Sequence, residues 1–272
     1  MTARETNTVL MINDLIYDVG MNTGDDTAYY LHRGFRVVAV EANPKLVDQA
    51  RKRFAEEIAN GRLIIEAVGI TETEGEALFW VCERLSEWSS FDRSIASRED
   101  SVHHGITVPT VPFGSILQKH GIPFYLKIDI EGNDSLCLRD LTPATAPPSI
   151  SVEASRIELL DQLHQLGYLR FQCISQFHFI PIELPPSPLQ IAFEEAQAGN
   201  HSLERFHSGN DWTFVTGSSG PFGADLPGRW QTFTEMKQTF AEFQARQLRG
   251  EASPFWTPAH YSFWADFHAV RD

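Results

Sequence analysis

Apolar and polar residues follow one another along this chain in blocks that switch between the period of a strand and that of a helix. Leu15-Ile16-Tyr17 is a short apolar run ending on Asp18, and residues 35–40 form a second run that ends on Glu41. Between them lie a loop with Gly20 and Gly24 and a helix-like segment. After Glu41, Asn43-Pro44 offers a cap and a first helical turn. Leu46, Ala50, Phe54 and Ile58 then recur at every fourth position, on one helical face that Asn60-Gly61 ends. The pattern predicts further strands over 62–68, Gly75–Cys82, 107–113, 124–130, Ser149–Glu153 and 168–174, and helices over 115–120 and 156–166. Prolines in 107–113 suit a sheet edge more than its centre. Residues 212–215 are the expected last strand, beside 168–174. Strands alternating with helices predict an α/β fold, a mostly parallel sheet with helices on both faces.

Two segments fall outside this alternation. Residues 183–210 carry Pro185-Pro186-Ser187-Pro188 and a helical patch over 189–198, long for a connection within a sheet and typical of a binding loop or lid. Residues 218–272 begin with a Gly/Ser/Pro-rich turn region, continue as a helix around 235–248, and end in Phe255, Trp256, Tyr261, Phe263, Trp264 and Phe267. So many rings predict a tail that packs back onto the domain. The expected organisation is one domain over 1–217, its core from about 14, with an insertion at 183–210 and a C-terminal extension at 218–272. No internal repeat is present.

Composition narrows the partners. A chain of 272 residues buries one large core, or one α/β domain with an extension. Its net charge is -14, from 36 acidic and 22 basic residues, and no basic run offsets it. That argues against duplex nucleic acid or an anionic membrane as partner. Cys82, Cys137 and Cys173 are odd in number and widely spaced, which suits buried thiols of a reducing compartment. Residues 1–13 are polar and no apolar run is long enough to span a bilayer, so a cytoplasmic location is expected.

The segment 15–43 carries the first chemistry. A glycine turn after one strand and an acid at the tip of the next suit an adenosine-containing ligand, because the acid accepts both ribose hydroxyls. A dinucleotide fingerprint places glycines as G-x-G-x-x-G; counted from Gly20, Asn22 and Asp25 stand at the two later positions. Asp25 and Asp26 also set negative charge where a pyrophosphate would sit. The order Asp18-x-Gly20-x-Asn22-x-Gly24 suits a ligand with cationic ammonium and sulfonium groups and no phosphate: S-adenosylmethionine.

The second motif is Tyr125-Leu126-Lys127-Ile128-Asp129-Ile130-Glu131-Gly132-Asn133-Asp134. Ligands of open α/β sheets bind beyond the carboxyl ends of the strands. The strand ending at Asp129 should neighbour the first strand, and the strand ending Ser151-Val152-Glu153 should lie next to it. Asp129 and Glu153 would then converge over one rim, with Asp18 close by. The alternative is a purely structural ion pair of Lys127 with Asp129 or Glu131.

Taken together, YDVGMNTGDD, VVAVEANP and FYLKIDIEGND followed by ISVE resemble the FkbM-type S-adenosylmethionine-dependent methyltransferases, over residues 15–174. The resemblance implies the Rossmann-like class I methyltransferase fold, a mostly parallel seven-stranded sheet whose last strand is antiparallel. It also implies O-methylation of hydroxyls on sugars and polyketide-type natural products. Met21-Asn22-Thr23 and Asn133-Asp134 depart from the usual residues of that family. On this reading Gly20 and Gly24 let the backbone approach the cofactor, Asp18 and Asp129 face its ammonium, and Glu41 takes the ribose diol. Asn22 belongs to the same loop, and Ala42 and Ala67 flank the adenine. Methyl transfer to a hydroxyl needs in-line positioning and a base. Asp129, Glu131 and Glu153 are the candidates; His103, His104, His178, His201 and His207 are weaker ones. A magnesium ion on Asp129 and Glu153 is a variant not favoured. Residues 83–104, the insertion and the aromatic tail are expected to line or cover the acceptor site. Two other classes remain open: a nicotinamide-dependent oxidoreductase and a non-catalytic adenosine-ligand binding protein.

Overall fold

The first apolar run becomes β1 (Met11–Val19), whose last five residues are buried, as expected of a strand covered on both faces. The computed structural model describes residues 9–199, 201–202, 206–209, 211–251 and 264–271. In chain order the other strands are β2 (Arg36–Val40), β3 (Leu63–Glu66), β4 (Gly69–Ile70), β5 (Gly75–Cys82), β6 (His103–Val111), β7 (Ile122–Ile128), β8 (Ser149–Glu153), β9 (Arg170–Ser175), β10 (Ser208–Gly209), β11 (Trp212–Thr213), β12 (Gln231–Thr232) and β13 (Ala265–Val270). The main sheet has eight strands in the order β12-β9-β13-β8-β7-β1-β2-β3. β1 pairs in parallel with β2 and β7, β2 with β3, and β7 with β8, while β13 runs antiparallel between β8 and β9. This is the Rossmann-like class I methyltransferase fold.

Helices α1 (Asp25–His32) and α2 (Pro44–Arg53) cover one face, through Tyr29, Tyr30, Leu31 and Ala50. Phe222 completes that cover, stacking on Tyr125 with ring centroids 4.6 Å apart. α2 opens as its sequence implies, with the Asn43 side chain accepting the Lys45 N–H at 3.0 Å. A five-residue helix, α3 (Ala55–Ala59), follows it. Leu46, Ala50 and Phe54 are buried as the period predicts, but Ile58 is exposed, because the helix breaks at Phe54. α4 (Arg93–Ala96) lies between β5 and β6. The opposite face is packed by α5 (Phe113–His120), α6 (Asp134–Arg139), α7 (Glu158–Gln165) and α9 (Phe233–Leu248).

Four expectations are corrected. The last strand of the sheet is β13, not 212–215; Trp212–Thr213 instead pairs with Ser208–Gly209 in a small hairpin. The tail therefore does not simply pack on the outside, since β13 completes the sheet interior with Phe267 fully buried. Of the other rings, Phe255, Trp256, Tyr261 and Phe263 lie outside the described residues. The sheet has eight strands, the extra one being the two-residue β12 at its edge. Finally, β6 is the middle strand of a second sheet, β4-β6-β5, not an edge. Pro109 is tolerated there because β4 pairs only with Thr110 and Val111, leaving the proline a single neighbouring strand.

The register sets a polar row across five adjacent strands: Asp18, Lys127, Ser151, His268 and Gln172, all buried. Glu153 and Asp266 face each other one alternate position nearer the carboxyl rim. The chemistry is concentrated where that row meets the ends of β1 and β7.

Candidate active site

A cavity of about 320 Å³ lies beyond the carboxyl ends of β1, β2 and β7. Gly20, Asn22, Glu41, Ala42, Asp129 and Glu131 line it, from both motifs, whereas Asp18, Gly24, Ala67 and Glu153 do not. Val68, next to Ala67, takes the wall position instead.

The first motif is shaped by contacts within the protein. Gly20 has φ +88°, and a Cβ there would stand 1.7 Å from the Asp129 carbonyl oxygen. Gly24 has φ +84°, and its Cβ would meet the Phe54 ring at 2.7 Å. At both glycines the space a Cβ would take is filled by protein, the Asp129 carbonyl in one case and the Phe54 ring in the other, while the Gly20 backbone also lines the cavity. The turn is pinned by the Gly20 and Met21 N–H groups, which donate to the Val40 carbonyl at 3.0 and 3.1 Å. Asn22 sits at positive φ, and its N–H donates to Glu41 Oε2 at 2.8 Å. The Asn43 N–H donates to Glu41 Oε1 at 2.7 Å. The Glu41 carboxylate is held from both sides while it faces the cavity. Burial raises its pKa to about 7, against the pull of those two N–H groups.

Asp18 is fully buried and turned away from the cavity. Its Oδ2 accepts the Thr27 hydroxyl at 2.6 Å, and its Oδ1 stands 3.1 Å from Lys127 Nζ. Lys127 also donates to the Gly20 carbonyl at 2.7 Å and lies 3.7 Å from Asp26 Oδ2. Its ion pair is therefore with Asp18, not with Asp129 or Glu131. Burial acts to lower the Lys127 pKa, but Asp18, Asp129 and Asp26 together hold it above its ordinary value. Asp26 lines the cavity where Asp18 was expected. Both of its oxygens accept the Ser219 N–H, at 3.0 and 3.1 Å, and burial raises its pKa to about 7. The sequence singled out Asp26 only as unfavourable to a pyrophosphate; the helical position that aims it inward was the signal to follow.

In the second motif, the Asp129 N–H continues the ladder to Val19 at 2.9 Å. Burial lifts the Asp129 carboxyl to about 6, with Lys127 pulling it back. Glu131 has φ +47° and accepts from Arg98 at 3.1 Å; burial, then the Asp129 charge, raise it to about 8. Asp134 closes the loop, because its oxygens accept the Ile130 and Gly132 N–H groups at 3.0 and 3.2 Å. Burial, then Glu131 and Asp129, push the Glu153 carboxyl well above the carboxylate range.

Residues 83–102 form a strap over the cavity. The Ser86 hydroxyl donates to Asn22 Oδ1 at 2.7 Å, and the Ser90 hydroxyl to the Glu131 carbonyl at 2.7 Å. Ser86, Glu87, Ser89 and Phe91 line the wall, with Phe91 edge-on to Phe79 at 5.1 Å. Of the three segments expected at the acceptor site, the strap reaches the cavity and the tail contributes Trp264, while no described residue of 183–210 lines it. That insertion instead seats Phe193 of α8 (Pro188–Ala198) in the core. None of the candidate histidines lines the cavity; His178 and His207 stand 3.4 Å apart beside Phe193. Among the described residues no group of three His, Cys, Asp or Glu side chains is arranged to hold a metal ion, and no helix is long and apolar enough to cross a membrane. All three cysteines are buried and free.

The sequence profile described as the methyltransferase FkbM domain matches residues 18–180. Among solved structures, the methyltransferase FkbM of Methylobacillus flagellatus is 16% identical, with 56% of this chain and 36% of that chain covered and a TM-score of 0.35. A precorrin 8W decarboxylase from Methanobacterium thermoautotrophicum is 16% identical over 60% of this chain and 68% of that one, with a TM-score of 0.36. The C-terminal domain of precorrin-6Y C5,15-methyltransferase from Rhodobacter capsulatus is 19% identical over 60% and 68%, with a TM-score of 0.34. The chain thus spans about a third of the solved FkbM chain it matches. No curated protein matches the chain.

Proposed function

The chain belongs to the FkbM methyltransferase family, and within methyl transfer from S-adenosylmethionine we propose that it O-methylates a hydroxyl of an uncharged, sugar-like or natural-product acceptor. The observation that carries the cofactor half is Glu41. A carboxylate facing a cavity, with each oxygen already fixed by one backbone N–H, still has lone pairs for two ribose hydroxyls. Beside it, Ala42, Leu46, Val68, Ile70, Phe79 and Phe91 offer an apolar slot that suits an adenine ring. Asp26 and Asp129 supply the negative charge that suits an ammonium and a sulfonium. When bound, the cofactor supplies the methyl group.

The acceptor half rests on acidity. Asp25, Asp26, Glu41, Glu87, Asp129 and Glu131 line the cavity, and Lys127, the one lysine among its described lining residues, is already paired with Asp18. An anionic acceptor would meet repulsion there, whereas a neutral polyol would find carboxylate acceptors for its hydroxyls. Asp129, raised to about 6, is ionised at neutral pH yet close enough to it to take a hydroxyl proton as the oxygen attacks. Glu131 and Glu153 stand behind it as alternative proton holders.

Calorimetric titration with S-adenosylhomocysteine and NAD tests the cofactor. Transfer of labelled methyl from S-adenosylmethionine to matched neutral, amino and phosphorylated glycosides tests the acceptor. Binding of NAD without S-adenosylhomocysteine would remove the whole reading. Preferred methylation of the phosphorylated sugar would remove the acceptor half alone.

A further inference from the structure

The cavity is closed at one end and open at the other. Leu46, Ile70 and Phe79 are buried at the Glu41 end. Among the described lining residues only Thr23, Val215 and Thr216 are exposed, so solvent enters between the first motif and residues 215–216. Trp264 lines the cavity on that side, next to Gly217. Three chain segments meet there. The Gln176 N–H donates to the Trp264 carbonyl at 3.0 Å, and the Gly217 N–H donates to the Gln176 carbonyl at 3.0 Å. The half-buried Trp264 ring is 5.1 Å from that of Phe177, tilted by 58°. A Cβ at Gly217, where φ is +91°, would lie 3.9 Å from Trp264 Cη2, so the outer edge of the indole rests against the glycine.

We propose that Trp264 is the platform on which the ring of the acceptor lies, and that it makes the enzyme prefer a cyclic sugar to an open-chain polyol. The inference rests on the acceptor reading above, a neutral sugar-like hydroxyl compound, and deepens it by naming what holds the ring.

Strand order supplies the geometry. β7 runs into Asp129, with β1 and β2 on one side of it and β8 and β13 on the other. Glu41 follows β2, and Trp264 precedes β13, which starts at the carboxyl rim because it runs antiparallel to β8. Each therefore lies two strands, about 10 Å, to one side of Asp129. The Ala154 N–H donates to the Ala265 carbonyl at 2.7 Å, which holds the start of β13 against the end of β8. An adenosine held at Glu41 and a sugar held at Trp264 would meet over Asp129, the carboxyl proposed as base.

The chemistry fits that placement. A pyranose carries hydroxyls at its rim and apolar C–H groups on its faces, so one face can leave water against an indole while the rim still reaches the carboxylates. An open-chain polyol has no such face. Charge does not make this choice, because the acids that line the cavity treat both polyols alike.

Fluorotryptophan incorporated into the full chain tests the platform, with the Trp264 resonance assigned by its loss in Trp264→Phe. With S-adenosylhomocysteine bound, methyl glycopyranosides should shift that resonance and the matching alditols should not. Labelled-methyl transfer then reads the preference. Trp264→Leu should raise KM for the glycopyranosides roughly 10- to 100-fold while kcat changes less than about threefold. Trp264→Phe, which keeps an aromatic face, should recover most of the loss. A Trp264 resonance unmoved by every glycopyranoside overturns the proposal, and so does a Trp264→Leu loss shared equally by the alditols or by S-adenosylhomocysteine affinity. Methylation of glycopyranosides with that resonance unmoved would leave the acceptor reading standing without the platform. A resonance that shifts with no methylation would remove the acceptor reading and keep Trp264 as a binding site for sugar rings. Should Trp264→Leu not fold, the fluorine titration of the unaltered chain decides.

Discussion

The Lys127 ammonium stands 3.1 Å from Asp18 Oδ1, on the neighbouring strand at the same register, with both side chains closed off from solvent. The same ammonium binds the Gly20 carbonyl, so one buried cation ties together both sequence motifs. Replacing it by an apolar chain of similar length leaves the Asp18 charge buried without its partner. Lys127→Met should therefore cost about 3–5 kcal/mol. For a chain of this size that is a fall of roughly 10 °C in Tm, read by calorimetry. A loss below about 1 kcal/mol would mean that the Asp18 carboxyl finds another partner when the ammonium is removed.

Gly20 and Gly34 make a matched pair for testing how tightly the first loop is packed. Both have φ near +87°, but a Cβ at Gly34 meets nothing within 4 Å, while one at Gly20 would overlap the Asp129 carbonyl. Gly34→Ala carries only the backbone penalty, about 1–2 kcal/mol. Gly20→Ala adds displacement of the β7 end and should cost at least about 2 kcal/mol more, measured by urea unfolding. Equal losses in the two variants would show that the Asp129 loop moves aside easily.

Glu41 is tied into the loop by two N–H donors. Glu41→Gln keeps the shape but turns one acceptor into an NH2 that faces an N–H. One donor, at Asn22 or Asn43, then loses its partner, and a ribose hydroxyl loses an acceptor. S-adenosylhomocysteine affinity should fall about 10- to 100-fold, the equivalent of roughly 1.5–3 kcal/mol. Unchanged affinity in a titration at pH 8 would remove Glu41 from the cofactor site.

Both motifs and most strands were legible because local signals agree with the global fold: apolar runs, glycines at positive φ and a capped α2. Two things were not. The place of β13 depends on pairing across the sheet, and Ala265–Val270 reads Ala-Asp-Phe-His-Ala-Val, with polar Asp266 and His268 alternating with apolar residues. An alternating hexamer far from its partner strands looks like a half-exposed tail, yet here the Asp266 and His268 face is buried against the polar row. The second gap was direction. Asp18 and Asp26 are both acids of the first motif, and only the turn at Gly20 and Gly24 decides that Asp26 faces the cavity while Asp18 faces Lys127. Residues 83–102 carried no periodic signal, so their role as a strap emerged only from the bonds of Ser86, Ser90 and Arg98 to the two motifs.

The crowding of carboxyls fixes how the stability of the ligand-free protein depends on pH. Burial raises Asp26 and Glu41 to about 7, and Glu131 and Asp266 to about 8. In the unfolded chain the same groups lose their protons near pH 4. Between those values the folded protein holds protons that the unfolded chain has released, so raising the pH favours unfolding. Below about pH 6.5 two buried histidines oppose this, since burial lowers His178 to about 4 and His268 to about 3, and both take up protons on unfolding. Above pH 6.5 that opposition is gone and the carboxyls act alone. Tm of the ligand-free protein should therefore fall from pH 6.5 to 8.5, at up to about 1.4 kcal/mol per pH unit for each proton held. S-adenosylmethionine, a cation at its sulfonium, should flatten the fall by favouring the charged carboxylates, and S-adenosylhomocysteine should do so less. Scanning calorimetry across that range decides it: a Tm that is flat or rising would mean the cavity carboxyls are already ionised without ligand.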